Sequence, residues 1–184
     1  MTNRNNSYAI ASYIFTSADN LLFDANIWLY VYGPQGNPSD WRTRAYSSAL
    51  ARSLTANSNL YVEVLILSEF INRYAKLEHN ILVTKQVAPR DFKTFRTSPD
   101  FHPIAQNIAS DVNRILMHCQ RTDDGLETMD INILLSEYVQ GNSDFNDQVL
   151  AALCRARGFK LVTHDADFKD QGLTVITANN HLLV

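Results

Sequence analysis

Four short apolar runs, at residues 21–23, 60–67, 159–163 and 173–177, most tightly limit how this chain can fold. Each has the length and bounded character of a buried strand rather than of a long helix. Helical spacing fills much of the sequence between them. Ser39 or Asp40 is placed to cap a helix reaching about residue 56, with Tyr46, Leu50 and Leu54 along one face. Ser68 is expected to cap the next helix. Ile104, Ile108, Val112, Ile115 and Leu116 share a helical stripe, and 131–139 reads as a further helix. Ser143 is the expected N-cap of a helix over 144–157 that stops at Gly158. Strands separated by helices imply an α/β three-layer sandwich, with a central mostly parallel sheet flanked by helices. Residues 80–103 carry Pro89, Pro99 and Pro103 and are expected to be mostly irregular, an insertion or lid.

Composition narrows the class further. The chain has 184 residues, enough for one compact domain over 1–184 with a substantial core. Its hydrophobic share of 46% and net charge of -3 exclude a disordered polyelectrolyte and argue against a simple nucleic-acid-coating protein. No run is long enough for a membrane span, and the first 17 residues lack the pattern of a secretory signal. Cys119 and Cys154 suggest no disulfide framework and have no Cys or His at ligand spacing. A cytoplasmic protein without membrane contact is therefore expected.

In a doubly wound sheet, ligands bind beyond the carboxyl ends of the strands. Asp24 ends the first run, Glu69 follows the second by one turn, and Asp165 follows the third. Asp147 lies on the helix that feeds the third run. Singly, each is an ordinary cap or loop acid; together they converge on one crevice. Close carboxylates raise one another's pKa unless a cation intervenes, and no Lys or Arg adjoins any of the four in sequence. A hard cation, Mg2+ or Mn2+, suits such oxygen ligands, and two of them about 4 Å apart would suit phosphodiester cleavage.

The segments Leu22-Phe23-Asp24-Ala25-Asn26-Ile27, Leu67-Ser68-Glu69-Phe70, Asn146-Asp147-Gln148-Val149 and Val162-Thr163-His164-Asp165-Ala166-Asp167-Phe168 resemble the successive acidic motifs of PIN domains. The resemblance runs from residue 21 to about 177, and its last motif is the most specific. It implies a PIN-like, Rossmann-like sheet and a Mg2+ or Mn2+ site that cuts RNA by activating water. Many members are toxins of toxin–antitoxin pairs, so an antitoxin and a second copy of the chain join RNA as candidate partners. Carried over by position, Asp24, Glu69, Asp147 and Asp165 become the catalytic, metal-binding acids, with Asp167 as an additional metal ligand. Asn26, Asp144 and Thr163 would orient those ligands. Extra length at about 80–140 departs from typical toxins of this kind.

Arg73, Lys85, Arg90, Lys93 and Arg96, interleaved with Phe92 and Phe95, form a candidate RNA-binding stretch; Arg42 and Arg44 beside Trp41 form a second. Strand alternation is expected to turn His164 away from the acids, while His79, His102, His118 and His181 read as surface or packing residues. Two competing readings are a PIN fold that binds RNA or protein without cutting, and a haloacid-dehalogenase-type phosphatase. The latter needs Asp-x-Asp where this chain has Asp24-x-Asn26.

Overall fold

The computed structural model describes residues 6–123, 125–141 and 143–183; Asp124, within the stretch 122–125 that reads as a turn in the sequence, lies outside them. Six strands form one sheet: β1 (Asn6–Ala9), β2 (Asn20–Phe23), β3 (Asn59–Val62), β4 (Gln120–Arg121), β5 (Lys160–Val162) and β6 (Thr174–Thr177). Their order is β1-β6-β5-β2-β3-β4, and every pairing is parallel. Leu21, Leu22, Phe23, Leu161, Val162, Val175 and Ile176 are all fully buried, as a parallel sheet covered on both faces requires. This is the expected PIN-like three-layer architecture. Among the described residues, no helix is long and apolar enough to cross a membrane.

The helices are α1 (Ala25–Val31), α2 (Trp41–Thr55), α3 (Val64–Thr84), α4 (Phe92–Arg96), α5 (Phe101–His118), α6 (Ile131–Val139) and α7 (Phe145–Arg157). Gly33 ends α1 where a side chain cannot fit: an added Cβ would stand 2.9 Å from the Leu29 Cα. Asp40 caps α2 as expected, and Gly158 ends α7 with a left-handed φ of 68°.

Four sequence expectations are corrected. The second apolar run is strand only to Val62, because Glu63 caps a helix there with both carboxylate oxygens, accepting from Leu65 and Ile66 N–H at 2.7 Å each. Ser68 is thus inside α3, one turn past its start. Asp144, not Ser143, caps α7, accepting from the Asp147 N–H at 2.9 Å. Residues 80–103 are not mostly irregular: α3 continues to Thr84, and α4 docks on its far half. His79 drives that docking. It is buried, stacks on Phe95 at 4.7 Å, and bonds the Pro89 carbonyl through Nε2 at 2.7 Å.

At the amino ends of the strands, buried Asp19 accepts from Lys160 Nζ at 2.5 Å and from Tyr13 Oη at 3.0 Å. Arg52 ties the incoming segment down by donating to the Ile10 and Tyr13 carbonyls.

Candidate active site at the carboxyl edge of the sheet

Strand order reverses between β2 and β5: from β2 the chain goes to β3 and β4 on one side, and from β5 to β6 on the other. Such a switch point opens a crevice at the carboxyl edge. Asp24 leaves β2 there and Asp165 lies three residues past the end of β5.

The Thr163 hydroxyl organises this crevice. It is fully buried and donates to Asp24 Oδ2 at 2.7 Å. It also accepts from the Asp165 N–H at 3.0 Å and from Asn26 Nδ2 at 3.2 Å. Asn26 Nδ2 reaches Asp24 Oδ2 at 2.5 Å, while its oxygen accepts from the His164 N–H at 3.3 Å. Asp24 stands where an N-cap would, yet its side chain makes no cap bond to α1. It is 5% exposed, and burial, opposed by Thr163 and reinforced by the charges of Glu69 and Asp165, pushes its carboxyl up to about 7.

Asp147 enters from the first turn of α7. Burial, then the charges of Asp144, Asp24, Asp165 and Glu69, push it up to about 8. Asp24 and Asp147 therefore sense the charge of the other acids. The four do not form a closed cage: among the described residues, no three His, Cys, Asp or Glu side chains stand close enough to hold a metal ion. Glu69 faces a different partner, Arg73, at 2.8 Å one turn along α3. Arg73, expected to meet RNA phosphate, is in this arrangement the counter-charge of an acid, and the chain does supply a cation next to the cluster. Asp167 is exposed, and its N–H serves to donate to Asp165 Oδ1 at 3.1 Å.

The all-oxygen donor set and the mutual charge of the acids fit a hard divalent cation.

The cation-rich stretch sits elsewhere. Lys85 lies roughly 24 Å beyond Glu69 along α3, at about 1.5 Å per residue. Lys85, Arg90, Lys93 and Arg96 are exposed and make no ion pair among the described residues, so they are open to an anion. Phe95 is fully buried, which removes it from base stacking, and half-buried Phe92 packs edge-on against His79. Arg42 is paired with Asp40 at 2.8 Å, and Arg44 donates to the Pro38 and Ser39 carbonyls.

Sequence reasoning missed Tyr46 as a support of the site. Its hydroxyl receives the Ala178 N–H at 3.1 Å and lies 2.7 Å from His164 Nδ1, joining the ends of β5 and β6. Its helical spacing revealed a buried ring but not the hydroxyl's partners, which are over a hundred residues away.

No curated protein matches this chain. Its fold is similar to that in the crystal structure of VapBC2 from Rickettsia felis bound to a DNA fragment from their promoter. The TM-score is 0.53 at 18% identity, over 86% of this chain and 98% of the other. The PIN domain family model matches residues 21–173, which include all four acids, and the chain belongs to that family.

Proposed function

We propose that this chain is a Mg2+- or Mn2+-dependent endoribonuclease, with Asp24, Glu69, Asp147 and Asp165 as its catalytic acids. What supports this reading is that Asp24 and Asp165 lie beyond the sheet's switch point, and that Glu69 and Asp165 lie near enough for their charge to add to burial in raising the carboxyls of Asp24 and Asp147. A divalent cation bound there would supply Lewis acidity to water and to the phosphodiester. The chain's own part is positioning. Thr163 and Asn26 fix the Asp24 carboxylate, Thr163 also fixes the Asp165 backbone, and Asp144 sets the start of α7 beneath Asp147. Asp167 is a further ligand in this reading. Lys85, Arg90, Lys93 and Arg96 guide the RNA strand at a distance.

In this reading the chain acts in the cytoplasm as a toxin, with an antitoxin and a second copy of the chain as partners; a fold similar to that in the VapBC2 structure agrees with the toxin part. Ile133, Leu135, Tyr138 and Val139, exposed on α6, offer apolar surface for a protein. The second reading is a PIN fold that binds without cutting. The Glu69–Arg73 pair favours it, since that contact diverts one acid from the crevice.

Cleavage of single-stranded RNA in Mg2+, lost in EDTA and in Asp24→Asn or Asp165→Asn, separates the two. Equal cleavage by wild type and both variants would overturn the nuclease assignment. Growth arrest on expression, absent with Asp165→Asn and relieved by the adjacent gene, tests the toxin role.

A further inference from the structure

We propose that Trp41, with Tyr30, His164 and the Arg42 guanidinium, forms a stacking subsite for an unpaired nucleobase beside the proposed cleavage site. The proposal rests on the ribonuclease reading and specifies its substrate as single-stranded RNA.

The rings build outward from the core. Tyr46 is fully buried and Tyr30 stacks on it at 5.9 Å and 14°. His164 meets Tyr46 edge-on at 5.6 Å and Tyr30 at 6.0 Å. Trp41 meets His164 at 5.8 Å and is 52% exposed, so much of its indole surface is open. Arg42 lies over Tyr30 at 5.3 Å, and Asp40 holds its planar guanidinium in place. An ordered guanidinium is itself a surface on which a base can stack.

Two features direct this group toward the substrate rather than toward packing. His164 is covalently next to Asp165. Its N–H bonds Asn26, whose amide nitrogen bonds Asp24, so one residue fixes the spacing between the rings and the acids. Helix α2 also begins with Trp41, and bonds from Arg44 to the Pro38 and Ser39 carbonyls brace that entry. The platform is therefore ordered before any ligand arrives, which lowers the entropy cost of binding. A base held in a duplex cannot stack on a side chain, so the geometry selects unpaired strands.

The chain has two tryptophans; Trp28 is fully buried, so contact quenching reports on Trp41. In EDTA, a short single-stranded RNA is titrated against wild-type protein, alongside an abasic ribose-phosphate strand of equal length and an RNA duplex. The expected result is quenching by the base-bearing strand alone. Trp41→Ala should bind that strand about tenfold more weakly, while Trp41→Phe stays within about threefold of wild type. Both variants should bind the abasic strand as wild type does. Equal binding of base-bearing and abasic strands, or full affinity in Trp41→Ala, overturns the subsite. Cleavage in Mg2+ is measured separately. Wild-type cleavage with an indifferent Trp41→Ala defeats only this inference, whereas base-dependent quenching without any cleavage defeats only the nuclease reading.

Discussion

Thr163 shows how much of the site depends on one hydroxyl. It joins two acids from different strands, so Thr163→Val should cost about 2 kcal/mol, the scale of a buried bond to a charged group. It should also reduce RNA cleavage, and Thr163→Ser should restore most of both. Thermal melts and cleavage rates check this, and a Thr163→Val protein with wild-type stability would remove the hydroxyl from this central role. The sequence places Thr163 near the acids through its motif, and Asp24, Asp165 and Asn26 likewise. It does not show that Glu69 faces Arg73, because an i,i+4 pair and a metal ligand look alike on a helix. Nor does it show Glu63. A glutamate is an uncommon N-cap, and the Val-Leu-Ile-Leu run after it reads equally well as strand.

At the scale of elements, α3 connects the proposed catalytic and RNA-guiding regions. Its first turns carry Glu69 and Arg73, and its far half carries α4. An exposed i,i+4 pair contributes only about 0.3–0.5 kcal/mol. Arg73→Ala should therefore free Glu69 and tighten Mg2+ binding by about twofold. Calorimetry in metal-free buffer checks this, and weaker Mg2+ binding would show that Arg73 supports the site instead. Replacing Lys85, Arg90, Lys93 and Arg96 with Ala should lower the slope of log affinity against log salt by roughly 0.7 per lost phosphate contact. RNA binding by Asp165→Asn across a salt series measures that slope. An unchanged slope moves the RNA path away from α4. The sequence showed the cations but not their distance from the acids, since three prolines concealed the helices. Two strands were also hidden. Strand β1 is an exposed edge with no apolar alternation, and β4 has only two residues.

For the whole molecule, alternation of buried strands with helices made the sheet and its acidic edge legible. The inward spacing of the acids was not, because rotamers leave no trace in sequence. The charge at that edge should govern stability. Asp24 and Asp147 have folded pKa values of about 7 and 8, against about 4 for an unfolded aspartate. Their neutral forms thus favour the fold below about pH 4, and that contribution is lost as pH rises through 7 and 8. The metal-free protein should lose melting temperature between pH 5 and pH 8.5, and Asp147→Asn should lose less. Mg2+ should raise the melting temperature more at pH 8.5 than at pH 5. An Asp147→Asn melting curve that tracks wild type at both pH values would show that Asp147 titrates normally.

The pairing of β1 with β6 has a temporal consequence. Strand β1 can find its place only once residues 174–177, far along the chain, have been made. Strand β2 likewise waits for β5 on one side, and Asp24 waits for Thr163. Such long-range closure is slow, and it leaves edges unpaired during synthesis. The crevice therefore forms only after Thr163 and Asp165 have been made, and a shorter growing chain cannot assemble this acidic edge.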